Sequence, residues 1–295
     1  MAELLIPRVE QRDIQAPILT AEGTTIVLQR HEAYQRDKAA QNAGSITEFG
    51  AYDTDLAFFD ALLAQENTDG PHAMMLFVSS DTQYASGGYR SMETTDLAQL
   101  AAIAALQERG IDPAERIINI HPAFTTHTFA PMGTAVRPLP GLREPHLFGA
   151  AAEEYLRHLL QKYGDSETGD LTTAAWKAHE ADAERTVREQ TGAEGVHDII
   201  GRTKASVALL QRYAHLFHTH NKGAHLVIWA GTHYDTISPL VKDATNTPLE
   251  TFLPVDYGGG VVIELSPTNQ EMTLNANRQT VALHLGARAV TSNPG

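Results

Sequence analysis

Thr24-Thr25-Ile26-Val27-Leu28-Gln29-Arg30-His31-Glu32 is the stretch of sequence that decides the fold. Its apolar and β-branched run, residues 25–28, is short and nearly continuous, which predicts a strand covered on both faces, as in a parallel sheet. An arginine and a histidine follow this strand directly. Because ligands bind beyond the carboxyl ends of parallel strands, we expect Arg30 and His31 to lie where a site forms.

Further runs of the same kind predict more strands, and stretches with apolar residues at helical spacing lie among them. The predicted strands are 74–78, 117–120, 226–229, 261–265 and 281–285, and the predicted helices are 54–65, 93–109, 153–163, 172–190 and 196–217. This alternation predicts an α/β protein, a three-layer α/β/α sandwich around a mostly parallel sheet. We expect one domain over residues 1–295, with a helical insertion at 164–221.

The composition allows a buried core and argues against several kinds of function. Hydrophobic residues make up 42% of the chain, and the formal net charge of −14 argues against nucleic acid or a membrane surface as partner. The chain has no cysteine, which excludes disulfides, thiolate zinc sites and cysteine nucleophiles. No stretch of signal-peptide type opens the sequence, so we expect a cytoplasmic protein. The oligomeric state stays open.

Three more residues that carry chemistry stand near the ends of predicted elements. Arg90 comes after the strand at 74–78 and near a helix start, where free backbone N–H groups favour anions. His233 comes just after the strand at 226–229. Glu144 lies in a loop before a helix, where a carboxyl group with a raised pKa can serve as a general acid. We therefore expect a site at one edge of the sheet.

Four short motifs, in this order, resemble those of the histidine-phosphatase superfamily, the phosphoglycerate-mutase-like and acid-phosphatase group. The matched residues are Arg30 and His31 of an Arg-His-Gly motif; Ser86, Arg90 and Thr94 of a Ser-x-x-x-Arg-Ala-x-x-Thr motif; Leu142, Glu144 and, with one extra residue before it, Gly149 of a Leu-x-Glu-x-x-x-Gly segment; and Thr232 and His233 before small residues and a helix. The resemblance runs over residues 24–237 and implies the fold of that family.

The resemblance also implies a phosphatase for a small phosphorylated molecule, acting through a phosphohistidine on His31. It implies that Glu144 protonates the leaving group and that Arg30, Arg90 and His233 hold the phosphate oxygens. It implies no metal and no other cofactor.

This sequence departs from the family pattern at three places. Glu32 replaces the glycine after the first histidine, which puts a carboxylate near the expected phosphate pocket. Tyr234 replaces a small residue after the second histidine. The acid-phosphatase branch has its acid directly after that histidine, whereas here the acid comes one residue later, so Asp235 is the alternative proton donor.

Other functions stay open at this point. A mutase would use the same His31 but return the phosphoryl group to another oxygen of its substrate. Glu32 beside the nucleophile is the feature that favours a non-catalytic relative that binds phosphorylated ligands. A metal hydrolase would draw on a cluster of four histidines, His215, His218, His220 and His225. The sequence does not reveal the substrate, and we expect residues 121–140 and the helical insertion to set it. Residues 123–131, with two phenylalanines, either line a pocket or form an ordinary packed connection, and the second is the favoured interpretation.

Overall fold

Four strands of the sheet are parallel, and the site predicted from the sequence lies at the ends of these strands. The computed structural model describes residues 8–37, 39–67, 69–83, 88–119, 137–145, 150–164, 173–266, 271–276 and 279–285. Its strands are β1 (Thr24–Arg30), β2 (His72–Ser79), β3 (Arg137–Pro138), β4 (Ala224–Thr232), β5 (Gly260–Leu265), β6 (Met272–Ala276) and β7 (Gln279–Ala282). They form one sheet in the order β3-β2-β4-β1-β5-β6-β7. β1 to β4 are parallel, and only β5 and β7 run the opposite way, which confirms the mostly parallel sheet.

Helices cover both faces of this sheet, as predicted for a three-layer sandwich. They are α1 (Gly50–Leu63), α2 (Arg90–Glu108), α3 (Pro113–Arg116), α4 (Ala150–Tyr163), α5 (Thr173–Glu180), α6 (Arg185–Thr191), α7 (Val196–His220) and α8 (Tyr234–Thr245). On one face Phe59 of α1 and Val27 of β1 belong to one buried cluster. On the other, Leu210 of α7 and Ile237 of α8 share a cluster with Leu28 of β1. Successive β1 side chains point to opposite layers, so both faces of the strand bury apolar surface.

The strand predicted at 117–120 is wrong in its described part, residues 117–119. Ile117 makes a single bridge with Met75 of β2. Beyond it, Asn119 accepts a hydrogen bond from the backbone N–H of Phe77 at 3.0 Å and donates one to the Phe77 carbonyl at 2.7 Å. An amide side chain therefore pairs with backbone groups that a neighbouring strand would otherwise satisfy.

The helix predicted at 172–190 is also wrong, because it is two helices, α5 and α6. The chain turns between them, and Asp182 has a φ of 51°, which lies in the left-handed region and cannot continue a helix. The strand predicted at 281–285 begins earlier and is shorter, at Gln279–Ala282. The periodicity of the sequence predicts none of β3, β6, α3 and α8.

The described part of the segment predicted as a helical insertion contains α5, α6 and α7. A small buried cluster of Tyr155, Leu159, Ala178 and Ala193 joins α4 to α5 and to the loop before α7. α7 itself contributes Val207 to the main core. The boundaries of the insertion stay a prediction. No helix in the described ranges combines the length and the apolar character needed to cross a membrane.

A fully buried ion pair fastens α8, the helix that follows β4, to α5. The Lys242 ammonium contacts the Glu180 carboxylate and donates to the Leu249 carbonyl at 3.0 Å. The exposed fractions of the two side chains are 0% for Lys242 and 1% for Glu180. Removing one partner of such a pair leaves an uncompensated charge in the interior, which is costly.

We expect Lys242→Met to lower the free energy of unfolding by about 3–5 kcal/mol, because Glu180 then stays buried without its cation. The double variant Lys242→Met/Glu180→Leu should recover most of this loss. Denaturant unfolding at neutral pH measures both.

The matched control is Lys162→Met, which breaks an ion pair with Glu184 whose lysine is half exposed. Its cost should be small beside that of Lys242→Met, because water screens an exposed pair. An equal loss of stability in the single and the double variant would contradict the role given to the buried pair.

Candidate active site

His31 follows β1 and is buried, with a contact on each ring nitrogen. Nδ1 lies 2.7 Å from the carbonyl oxygen of Glu32, and Nε2 lies 3.1 Å from Nε of Arg90. A carbonyl only accepts and a guanidinium only donates. The proton is therefore on Nδ1, and Nε2 carries the lone pair that a nucleophilic nitrogen needs.

The surroundings keep this ring neutral. Burial lowers the pKa of His31 well below its usual range, and the positive charges of Arg90 and Arg30, together with His233, lower it further. The hydrogen bond to the backbone of Glu32 acts in the opposite direction and is weaker. Nε2 therefore stays unprotonated at neutral pH, and its lone pair accepts the hydrogen bond from Arg90.

Arg90 opens α2 and joins His31 to Glu144. Its Nε donates to His31, and its Nη2 makes a close contact with Oε1 of Glu144. The guanidinium also lies over the ring of Tyr34, 4.2 Å from the ring centroid. Arg90 is 2% exposed and Glu144 is 8% exposed, so each charge compensates for the hydration that the other loses.

The first turn of α2 reaches the site because Gly231 of β4 has no side chain. A Cβ atom at Gly231 would lie 2.5 Å from the carbonyl oxygen of Ser91, closer than real Cβ contacts come. The helix therefore packs directly against the end of β4. This packing places Arg90 and Ser91 beside His233.

His233 contacts the same carboxylate oxygen of Glu144 as Arg90 does. Its Nδ1 lies 3.1 Å from Oε1 of Glu144. Its Nε2 lies 3.1 Å from the hydroxyl of Ser91 and 3.0 Å from the hydroxyl of Ser80. The approach of Nδ1 to Oε1 is an electrostatic contact rather than a hydrogen bond. The two serine hydroxyls hold the ring through Nε2.

The pairing of β1 with β4 brings the two histidines together. Arg30 is opposite Thr232 in this parallel pair, and the backbone N–H of His31 donates to the Thr232 carbonyl at 3.0 Å. The residues that follow, His31 and His233, are therefore neighbours, with ring centroids 5.2 Å apart.

Arg30 brings a second positive charge to the site. Its Nη1 donates to the carbonyl of Val255, and its guanidinium stacks on Tyr257, with 4.0 Å between Cζ and the ring centroid. The rings of Tyr257 and Tyr34 lie 5.8 Å and 5.3 Å from the ring of His31. Two tyrosines thus line the histidine, and each of them supports one arginine.

Glu32 directs its carboxylate to the N-terminus of α1. Its Oε1 accepts a hydrogen bond from the backbone N–H of Ala51 in the first helical turn. Its own backbone N–H donates to the hydroxyl of Thr94 at 2.9 Å. Burial raises the pKa of Glu32, while the bond from Ala51 lowers it. A carboxylate there satisfies a free N–H group and meets the positive end of the helix dipole, so helix capping explains this departure from the family pattern.

The loop that carries Glu144 is fastened to the end of β2. Arg143 makes a two-point contact with the carboxylate of Asp81, and the backbone N–H of Glu144 donates to the hydroxyl of Thr82 at 3.3 Å. The hydrogen bonds from Arg143 lower the pKa of Asp81, which keeps the pair ionised. The carboxylate of Glu144 is thereby held over the same sheet edge as the histidines.

His31, Glu144 and His233 also form a donor set that a metal ion can use, because their ligand atoms lie within 4.8 Å of one another. Arg90, however, contacts both His31 and Glu144. A divalent cation would therefore meet a fixed positive charge at close range. The arrangement suits an anion better than a cation.

The four histidines considered for a metal hydrolase serve other purposes or lie apart. His218 lies 2.9 Å from the hydroxyl of Thr24, and His225 lies 3.0 Å from that of Thr25. Burial lowers the pKa of His225 to about 4. His215 and His220 are exposed on α7. The structure therefore gives these histidines no common ligand position.

Four of the six predicted site residues are in contact: His31, Arg90, Glu144 and His233. Arg30 and Asp235 act on them electrostatically. Burial lowers the pKa of His31 most, and Arg30 adds to that effect. Burial lowers the pKa of Arg90, but Glu144 outweighs it, and Asp235 adds to the effect of Glu144. Asp235 is 2% exposed and stands in the first turn of α8. Ser86 and Gly149 of the matched motifs lie outside the described residues, and so do residues 123–131. The roles of the six residues stay predictions.

The sequence reasoning missed two serines and two tyrosines of the site: Ser80, Ser91, Tyr34 and Tyr257. Ser91 adjoins Arg90 in the second motif, and Tyr257 precedes the glycines at 258–260. Their places beside recognised motifs are the only signal, because a single hydroxyl or ring in a loop does not reveal its contacts.

Comparison of this chain with known proteins finds similar solved structures but no related sequence. No family model matches the chain, and no curated protein matches it. This chain is structurally similar to phosphatases and a phosphoglycerate mutase.

Three solved structures illustrate the likeness. A phosphoglycerate mutase from Bacillus anthracis is 15% identical, with 84% of this chain and 90% of that chain covered and a TM-score of 0.42. A mycobacterial glucosyl-3-phosphoglycerate phosphatase is 14% identical, with coverages of 85% and 97% and a TM-score of 0.43. The alpha-ribazole phosphatase from Shigella flexneri is 18% identical, with coverages of 91% and 99% and a TM-score of 0.38. At these identities and TM-scores the likeness carries no argument about activity or about single residues.

We expect the ring of His31 to stay neutral, with its proton on Nδ1, when the pH falls to about 5.5. NMR of ring-labelled histidine, assigned with the His31→Gln variant, measures this.

Because the pKa of His31 is lower in the folded than in the unfolded protein, the unfolded chain takes up this proton first. His31 therefore reduces the free energy of unfolding as the pH falls below about 6.5. The His31→Gln variant should therefore lose less stability between about pH 7 and 5.5 than the wild type. Protonation of the folded ring near its ordinary pKa would contradict the environment described.

We expect Glu32→Gln to change the inhibition constant of inorganic phosphate by less than about threefold, because the carboxylate caps α1. Glu32→Ala should lower the free energy of unfolding by about 1 kcal/mol through loss of the cap. Phosphate inhibition and denaturant unfolding measure the two effects. Phosphate that binds tenfold tighter to Glu32→Gln would instead mean that the carboxylate repels anions in the pocket.

Proposed function

We propose that this protein is a phosphatase that hydrolyses a phosphate monoester through a phosphohistidine on His31. The observation that carries the proposal is the neutral His31 ring, whose Nε2 lone pair faces Arg90 at 3.1 Å. A nucleophile thus adjoins a donor that can hold phosphate oxygens in a two-point contact. The four motifs that resemble the histidine-phosphatase superfamily support the same conclusion.

In this proposal the substrate phosphate takes the donors that Glu144 contacts. Its carboxylate contacts Arg90, and its Oε1 lies 3.1 Å from Nδ1 of His233. A phosphate dianion offers more negative charge to the same donors and displaces the carboxylate from them. The neighbouring dianion then favours the neutral carboxyl group of Glu144, because like charges disfavour ionisation. Substrate binding thereby prepares the acid.

The chemistry proceeds in two displacements. In the first, Nε2 of His31 attacks phosphorus, the ester P–O bond breaks, and the leaving alkoxide takes the proton of Glu144. In the second, water attacks phosphorus, the Glu144 carboxylate takes its proton, and the P–N bond breaks to release phosphate. Arg90, Arg30 and His233 stabilise the charge on the transferring group. Neither displacement needs a metal ion.

Asp235 is the other acid within electrostatic reach of Arg90. We favour Glu144 as the proton donor because it makes direct contacts with Arg90 and His233, whereas Asp235 stands in the first turn of α8. There its charge meets the positive end of the helix dipole, which gives it a positioning role toward Arg90.

We expect the protein to hydrolyse 4-nitrophenyl phosphate in the presence of a chelator, and His31→Ala to lower kcat by about a thousandfold or more. Arg90→Ala should lower it by about a hundredfold or more. The exposed His215 provides the control variant, His215→Ala, with unchanged kcat. Acid-labile phosphate on His31, found by mass spectrometry after rapid quenching, would identify the intermediate.

The leaving group separates the two acids. Nitrophenolate leaves without a proton, whereas an alkoxide requires one, so Glu144→Gln should slow an alkyl phosphate about a hundredfold more than the nitrophenyl ester. Asp235→Asn should slow both esters alike. The reverse pattern would make Asp235 the donor.

Turnover that survives in His31→Ala, or that disappears with the chelator, would overturn the proposal. Phosphate transfer within one substrate without release of phosphate would point to a mutase. Phosphate-ester binding without turnover would point to a non-catalytic relative.

A further inference from the structure

A cavity of about 350 Å³, counting its open side, lies between α4, α5 and the loop before α7. Its wall is mostly apolar, with Ala152, Tyr155 and Trp176 among the lining residues. None of the nine lining residues that the structure describes is a lysine or an arginine. Because this volume includes open solvent, the enclosed part has room for no more than one ring-sized group.

Two connections place this cavity beside the candidate active site. Pro145, the residue directly after Glu144, forms part of the cavity wall. Trp176 on the same wall packs edge-on against Tyr234 at 5.3 Å between ring centroids, and Arg30 lies 5.8 Å from that tyrosine ring. The cavity therefore adjoins the site on the side of its proposed acid.

Three buried polar atoms in the lining have no hydrogen-bond partner among the described residues: the Tyr155 hydroxyl, Nε2 of His179 and Oε2 of Glu194. Tyr155 is 4% exposed and His179 is 5% exposed. Buried polar groups are normally satisfied, and each exception calls for an explanation such as a ligand. Their side chains form part of an otherwise mostly apolar wall, so a bound ring with a polar substituent would supply a missing partner.

The charges around the cavity exclude an anionic occupant. The other oxygen of Glu194 accepts a hydrogen bond from Arg202 at 2.7 Å, which already uses that cation. Burial lowers the pKa of His179 to about 4, so its ring is neutral at pH 7. A carboxylate or second phosphate in the cavity would meet no free positive charge from the lining residues and would lose its hydration.

We propose that this cavity binds the alcohol part of the substrate, and that this part is an uncharged, mainly apolar ring with a hydroxyl or similar hydrogen-bonding group. This inference rests on the proposed function, because the ester oxygen must lie at Glu144 and the alcohol carbon skeleton must extend past Pro145. It assigns a substrate class: monoesters of ring-bearing neutral alcohols, and not phosphates that carry a second anionic group.

Non-hydrolysable phosphonates test the cavity without turnover. Calorimetry on the full chain should give a Kd for 3-phenylpropylphosphonate at least about tenfold below that for 3-carboxypropylphosphonate. Ala152→Leu, which fills the cavity, should reduce this preference to about threefold or less. The matched control Ala61→Leu changes an exposed position of α1 and should leave the preference unchanged.

A second variant, Tyr155→Phe, tests the same inference if Ala152→Leu does not fold. Tyr155→Phe removes a hydroxyl that has no partner in the described structure, so it should not lower the free energy of unfolding. It should nevertheless reduce by several-fold the preference for 3-(4-hydroxyphenyl)propylphosphonate over the phenyl compound. A loss of stability without a change in that preference would mean a structural hydroxyl and would overturn the inference.

The failure of this inference is distinguishable from the failure of the proposed function. Selective phosphonate binding without hydrolysis of any ester would overturn the phosphatase and keep the cavity assignment. Hydrolysis that depends on His31, together with equal Kd values for the phenyl and carboxy compounds, would overturn the cavity assignment and keep the phosphatase. A preference that persists in Ala152→Leu would also overturn it, because the ring would then bind elsewhere.

Discussion

The parallel pairing of β1 with β4 is the constraint on which the rest of the site depends. Arg30 at the end of β1 and Thr232 at the end of β4 are opposite each other. The two strands therefore leave the sheet at the same edge, and His31 follows one strand while His233 follows the other. Parallel strands leave in the same direction, which antiparallel neighbours cannot do. Gly231 in the same strand lets α2 approach and bring Arg90 to this edge. A shift of one residue in the register would separate the histidines and turn the core side chains of β1 to the wrong face.

The buried site is governed by its need for compensated charge. Two arginines, one carboxylate and two histidines stand in a small volume, and each charged group has a partner or an aromatic face beside it. Arg90 is compensated by Glu144, while Arg30 lies on a backbone carbonyl and on Tyr257. Burial, together with the nearby positive charges, keeps His31 neutral, and the same charges attract an anion. A protein with a net charge of −14 therefore builds a local positive pocket, and it directs the nearby carboxylate of Glu32 into a helix terminus.

The cavity between α4 and α5 follows a different principle from the site beside it. The site is built from charged and polar side chains that contact one another. The cavity has mostly apolar walls. Glu144 belongs to the site, and the next residue, Pro145, forms part of the cavity wall. A phosphate ester of an apolar alcohol has the same two parts. Its charged phosphate group matches the site, and its uncharged alcohol part matches the cavity.

Local patterns in the amino-acid sequence were enough to predict the sheet class, most strands and the six candidate site residues, because strand periodicity and short motifs are properties of neighbouring residues. They were not enough for Asn119, whose side chain replaces a strand, nor for the break at Asp182, since both depend on contacts or on a backbone angle that periodicity does not encode. Only the tertiary structure decided where the Glu32 carboxylate points, which nitrogen of His31 carries the proton, and that Ser80, Ser91, Tyr34 and Tyr257 complete the site. Each of these depends on distances between residues far apart in the chain, and such distances arise only when the strands pair and the helices pack.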